Sequence, residues 1–311
     1  MKKILVLLLV LALVFAACTP SSTTGNDNPA GNTGTDNQGT DQGKDDQGTD
    51  EGKEPENKEP VENKIVYGST TELSGNFWTS MWGNNAADAV VKDLIHGYGT
   101  VAYSKEEGAY IFDKTVVKNV ESTDNADGTK TYTITINDDL VYSDKTPITA
   151  KDYVFAILAG SNPVFSEGGG NITAGYYYTG YTPYSEGTTD VFEGVRLIDD
   201  YTFSVTIIAE ELPSFFDIEL AGFGPWPIHI IAPNATIEDT GAGTKIAGEF
   251  NLDVINKTVL DNNGGYRYVP SVSCGPYLLD SYDTATKIAV LKINPEFKGD
   301  YNGQKPAAGF A

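Results

Sequence analysis

Apolar positions recur along the chain at two spacings, and the spacing separates helices from strands. Ala86, Ala87, Val90, Val91, Leu94 and Ile95 fall at helical intervals, with Asn85 placed to cap the first turn and Gly97 to stop the last. Thr149 and Asp152 stand where a capping box needs them, and Ala150, Tyr153, Val154, Ile157 and Leu158 make one helical face before Gly160. Strict alternation marks strands. Tyr132, Ile134 and Ile136 alternate with Thr131, Thr133 and Thr135 beyond an Asp127-Gly128 turn, which predicts a hairpin. Tyr201, Phe203, Val205 and Ile207 alternate in the same way, and Lys287 to Ile293 predicts a last strand. Lys64 to Gly68 reads as a short opening strand, Phe215 to Ala221 as a short apolar helix, and Phe250 to Leu260 as a further helix. Gly222 to Pro227, with two Gly and two Pro, can only be an irregular loop. Helices and strands follow each other without a βαβ rhythm, so the expected fold is a mixed α/β body.

The first 63 residues break this pattern. Lys2-Lys3 and the apolar run from Ile4 to Ala17 form a secretory signal, too short to span a bilayer comfortably. The run ends Phe15-Ala16-Ala17-Cys18, which resembles the lipobox of bacterial lipoproteins and implies lipidation at Cys18. Residues 18–63 are expected to be a disordered linker, because Gly, Asn, Asp, Thr and Gln bury too little apolar surface to offset chain entropy. Such a coil reaches about 35–40 Å. The predicted anchor places the protein on the extracytoplasmic face of the bacterial cell membrane.

Charge and chemistry narrow the function classes. With 21 Lys and Arg against 43 Asp and Glu, the net charge of -22 excludes a nucleic-acid partner, which needs clustered cations. Cys18 and Cys274 make no disulfide framework, and two His far apart in sequence give no zinc motif, so neither a metal nor a cofactor is expected. No nucleophile elbow, P-loop or dinucleotide fingerprint occurs, and Gly168-Gly169-Gly170 reads as a flexible loop. His96, His229 and Cys274 read as structural residues, and the Asp199-Asp200 and Glu210-Glu211 pairs alternate faces on extended chain. The positive signal is aromatic: Trp78, Trp82, Phe165, Tyr176, Tyr177, Tyr178 and Trp226 lie among Gly and Asn in loops. Aromatic rings beside amides suit recognition of a small organic ligand, since they offer contact area at low entropy cost.

The segment from Tyr132 to Phe155, with Tyr142-Ser-Asp-Lys-Thr-Pro147 leading into Thr149-Ala-Lys-Asp152, resembles the signature of the family 5 extracellular solute-binding proteins. Tyr142, Lys145 and Asn137 replace that family's usual Trp, Gly and Arg. Leu94-Ile-His-Gly97, Asp199-Asp-Tyr-Thr-Phe203, Cys274-Gly-Pro-Tyr277 and Asn294-Pro-Glu-Phe297 resemble its further motifs, in its order. The resemblance implies a peptide-binding subclass of the type II periplasmic-binding-protein-like fold, a first lobe augmented by an extra α/β domain. Residues 64–99 and 197–311 would then be the two segments of the first lobe, and 100–196 the extra domain. It implies capture of a peptide ligand by hinge closure and delivery to ABC permease subunits, with no bond made or broken. By that resemblance the loop before the first helix, Trp82, Gly83, Asn84 and Asn85, lies against the ligand, as do Phe165 and Tyr176 to Tyr178; Trp78 and Trp226 join the set on composition alone. The chain is expected to stop where a second lobe would begin, which implies a truncated form of limited solubility. Two rival readings stand beside this one: the same scaffold holding an oligosaccharide, and a secreted lipoprotein enzyme whose carboxylates converge only in space.

Overall fold

Ten-residue helix α1, Ala86–Ile95, starts where Asn85 accepts the amides of Ala87 and Asp88 on its side-chain oxygen at 2.8 and 3.1 Å. This chain is described by a computed structural model over residues 64–299, all within one compact unit. The signal, Cys18 and the linker therefore lie outside the described residues, as do residues 300–311. The buried stripe of α1 is Ala87, Val91 and Ile95; Ala86 and Val90, expected on the same face, are exposed. A second stripe one step round the helix, Asp88 and Lys92, is also buried.

After α1 come hairpin β1–β2 (Val101–Ser104, Ala109–Phe112), the predicted hairpin β3–β4 (Val117–Asp124, Lys130–Ile136) and helix α2 (Ala150–Ala159). The β3–β4 turn closes with Asn125 and Thr129 bonded and Gly128 at φ 87°, a left-handed position that glycine takes without strain. At the start of α2 the Thr149 amide and hydroxyl both donate to the Asp152 carboxylate, at 2.9 and 3.1 Å. Short helices α3 (Pro163–Glu167) and α4 (Tyr181–Ser185) lead to β5 (Val195–Leu197) and β6 (Thr202–Ile207). Then follow α5 (Ile228–Ile231), hairpin β7–β8 (Ala235–Asp239, Thr244–Gly248), α6 (Leu252–Thr258) and hairpin β9–β10 (Tyr277–Asp283, Ile288–Ile293).

The architecture of the described residues is mixed α/β, with all their strand pairs antiparallel. Among the described residues one sheet has four strands in the order β3-β4-β6-β5, and the three other pairs are two-stranded hairpins. Helix α2 has almost no polar face: Ala150, Tyr153 to Ala159 are all buried, so it is surrounded on every side. Tyr153 stacks on Phe203 of β6 at 5.5 Å and its hydroxyl donates to the Tyr98 carbonyl at 2.8 Å. This core draws residues from every region between Trp78 and Cys274. A second, smaller cluster of Phe77, Val91 and Ile95 lies under β9–β10, with Leu279, Tyr282, Ala289 and Leu291 packed on it.

Three expectations need correction. Lys64 to Gly68 forms no strand, and Ile65, Val66 and Tyr67 are 75%, 82% and 74% exposed: strand propensity without a partner strand to pair with leaves extended chain. The helix expected from Phe215 is a 3-10 turn limited to Asp217–Ala221, leaving Phe215 and Phe216 exposed. Gly168 to Gly170 is a packed turn and no loose loop. A Cβ on Gly170 would come within 3.0 Å of the Phe165 carbonyl and 3.3 Å of Trp82.

Candidate functional site

The loop from Ser74 to Asn85 is tied down before it can present anything. Buried Asp88 accepts the amides of Ser74 and Asn76 at 2.8 and 3.3 Å, together with the Ser74 hydroxyl. Further along, the Trp82 indole N–H donates to the Gly168 carbonyl at 2.9 Å, and the Asn171 amide donates to the Met81 carbonyl at 2.9 Å. Two loops distant in sequence, 79–83 and 168–171, are thereby held together.

That junction brings the predicted aromatics into one cluster. Trp78 is its centre, with ring centroids 4.5 Å from Trp226, 5.9 Å from Trp82 and 5.9 Å from Phe165. Trp82 and Phe165 are 5.7 Å apart, and Phe165 meets Trp226 at 6.2 Å. Trp78 and Phe165 are buried, whereas Trp82 and Trp226 keep part of their surface, Trp82 beside the exposed Gly83-Asn84 turn. Asn85 has both side-chain groups committed, its oxygen to the helix cap and its nitrogen to the Glu72 carbonyl at 3.0 Å.

Tyr176, Tyr177 and Tyr178 belong to a different neighbourhood. They contact each other at 4.3 and 5.2 Å, and Tyr178 is buried against Phe192 with its hydroxyl donating to the Leu220 carbonyl at 2.5 Å. Only Tyr176 is exposed, and none of the three meets the Trp78 cluster in a ring contact.

Three members of the cluster escaped the sequence reading. Tyr266 stands edge-on to Trp78 at 5.4 Å, Phe250 touches Phe165 at 6.0 Å, and the Arg267 guanidinium lies 5.2 Å from the Trp82 ring centre and 5.0 Å from that of Tyr268. The Arg267 Nε–H is buried and finds no acceptor among the described residues. The aromatic-basic-aromatic run Tyr266-Arg267-Tyr268 was the signal available for Tyr266 and Arg267.

The titratable groups nearby are structural in their contacts. His96 donates from Nε2 to the Phe77 carbonyl at 2.9 Å, and burial holds its pKa down at about 4. Burial pushes the Cys274 thiol up to about 12, with the thiol bonded to the Gly97 carbonyl. Burial also raises Asp152, whose carboxylate is occupied by Thr149. His229 bonds Asp144 at 3.0 Å. Among the described residues no three His, Cys, Asp or Glu side chains gather in a group that could hold a metal.

Comparison with known proteins adds to this geometry. Residues 115–308 match the family described as bacterial extracellular solute-binding proteins, family 5 middle. No match was found among curated proteins. Among solved structures the chain is similar to a lactococcal OppA complexed with an endogenous peptide in the closed conformation, at 16% identity and TM-score 0.49, covering 75% of this chain and 38% of that one. It is also similar to Haemophilus influenzae OppA complexed with RPPGFSPFR, at 19% identity and TM-score 0.47, covering 74% and 38%. A third likeness is to a periplasmic oligopeptide-binding protein of Borrelia burgdorferi, at 20% identity and TM-score 0.46, covering 71% and 37%. The chain thus spans less than two fifths of the length of these structures.

Proposed function

The chain belongs to the bacterial extracellular solute-binding proteins of family 5, and from that membership we propose that it captures peptides for an ABC importer. It would do so outside the cytoplasm, tethered through a lipid on Cys18, and would hand its ligand to permease subunits without making or breaking bonds. Residues 64–99 and the chain from 197 onward would serve as one lobe, with residues 100–196 as its extra domain.

The observation that carries this reading is the convergence of Trp78, Trp82, Phe165 and Trp226 from three separate segments into one cluster. A cluster that served packing alone would be closed over. Here Trp82 and Trp226 remain part exposed, Trp82 next to the exposed Gly83-Asn84 turn, and the Arg267 guanidinium lies over Trp82. Peptides carry side chains that suit the indole faces. A pyranose also stacks on Trp, so the oligosaccharide reading draws on the same rings.

Titration calorimetry of the protein with mixed short peptides, then with oligosaccharides, separates the two. Heat from peptides that disappears in Trp82→Ala is the expected result; heat from sugars only would replace the peptide reading. The intact mass of detergent-extracted protein reads the lipid directly, and an unlipidated Cys18 would remove the tether from the proposal.

A further inference from the structure

Arg196 and Arg267 are the arginines of this acidic chain, and the fold treats them differently. Arg196 is committed to Asp239, with Nε and Nη2 donating to its two carboxylate oxygens at 2.7 and 2.8 Å. Around Arg267, among the described residues, no Asp or Glu stands at ion-pair distance and no acceptor meets its side chain. Its polar partners are ring faces instead.

The guanidinium is nevertheless held in place. Trp82 and Tyr268 flank it with ring centres 5.2 and 5.0 Å from its central carbon. Trp82 is fixed in turn by its N–H on the Gly168 carbonyl at 2.9 Å. The backbone of Arg267 is bonded on both sides, its amide donating to the Val259 carbonyl at 3.2 Å and its carbonyl accepting from the Phe77 amide at 2.9 Å. Nε is buried, which turns the root of the group inward and closes the side-on approach to it. The two terminal nitrogens are neither bonded nor sealed off, and the residue as a whole is half-buried, so the far edge of the fork faces outward. Next to that edge Tyr268 is half-buried and Val269 46% exposed, an apolar shoulder beside the charge. A planar carboxylate meets two such N–H groups end-on with two parallel bonds, which no neutral group of a peptide can do.

Resting on the peptide reading above, we propose that Arg267 makes this site select peptides that bring a carboxylate to the Trp82 face, its oxygens on the two terminal nitrogens and the neighbouring side chain against Tyr268 and Val269. The carboxylate belongs to the end of the peptide or to an Asp or Glu within it. The net charge of -22 repels anions from the chain at large, so a fixed and unpaired guanidinium is where one is admitted.

Three peptides are the probes, titrated calorimetrically into the full chain: Ala-Phe-Ala-Ala with a free C-terminus, the same peptide as its C-terminal amide, and Ala-Phe-Glu-Ala amide. The first or the third is expected to bind about tenfold or more tighter than the second, and which of them does so identifies the source of the carboxylate. In Arg267→Met, with folding checked by far-UV circular dichroism, that gap is expected to close. Phenylglyoxal labelling read by mass spectrometry needs no variant: Arg267 should react in the free protein and be protected by the tight peptide. An unreactive Arg267, equal affinity for all three peptides, or a gap that survives in folded Arg267→Met overturns the carboxylate site and leaves the peptide reading standing. No binding of any of the three removes both.

Discussion

Helices α1 and α2 are the same length and both start on a polar cap, but they sit in opposite surroundings. Around α2 the packing is closed on all sides, by the four-stranded sheet, hairpin β7–β8 and helix α5, and nearly every side chain is apolar and buried. Around α1 it is closed on one side by β9–β10, while the adjoining face buries Asp88 and Lys92 and opens on a pocket. The difference teaches where each task can reside. A layer closed all round rewards volume and punishes every cavity. A layer closed on one side tolerates buried polar groups, and those groups are what a ligand can use.

The largest effect should come from breaking the closed layer. Phe155 is wholly buried on α2 and meets Phe250 edge-on at 6.0 Å. Phe155→Ala is expected to cost about 3–5 kcal/mol, read by denaturant unfolding. A loss below about 1 kcal/mol would mean that the core can collapse into the space, and that α2 is less enclosed than its burial indicates.

The open layer should instead reveal itself through pH. His96 closes α1, and burial depresses its pKa from 6.5 to about 4. The folded chain therefore keeps this ring neutral where the unfolded chain protonates it. Stability is full above about pH 6.5 and is lost as pH falls toward 4, by at most about 3 kcal/mol for this group. Melting temperatures of wild type and His96→Gln across that window should converge as the solution is acidified. Parallel curves would show that the ring is not held neutral by the fold.

How much of this could be read beforehand follows the same division. Helix α2 and hairpin β3–β4 were legible because local signals agreed with each other: the Thr149-Asp152 box, the period of the apolar face, the Asp127-Gly128 turn. Hairpins β1–β2 and β7–β8 were not, since Ala109–Phe112 and Thr244–Gly248 carry no alternation and owe their pairing to position. Within the aromatic cluster, Trp78, Trp82, Phe165 and Trp226 were singled out by residue type and loop composition, Trp82 and Phe165 also by the family resemblance. Neither signal encodes spatial neighbourhood. Tyr176 to Tyr178 looked alike in sequence and lie elsewhere, and Tyr266 and Arg267, which join the cluster, follow an Asn-Asn-Gly-Gly run with no apolar period around it. Lys92 and His96 were read as helix positions, because the depth at which a side chain is buried is a property of packing.

The smallest expected effect sharpens the comparison most. Along β10 the exposed residues alternate with those on the inner cluster: Ile288 is 58% and Val290 45% exposed, while Ala289 and Leu291 pack inward. If the layer is closed on one side only, the outward positions contribute nothing to stability, and Ile288→Lys with Val290→Lys should change the unfolding free energy by less than about 0.5 kcal/mol. The register favours the exchange, since Ile288 lies opposite Asp283 and Val290 opposite Ser281, so one new cation gains a cross-strand carboxylate. Removing two exposed apolar side chains from a hairpin that bonds no third strand among the described residues should also reduce self-association in sedimentation velocity. A destabilisation above about 1 kcal/mol would show that this face is covered in solution. The two helical layers would then differ in chemistry but no longer in enclosure.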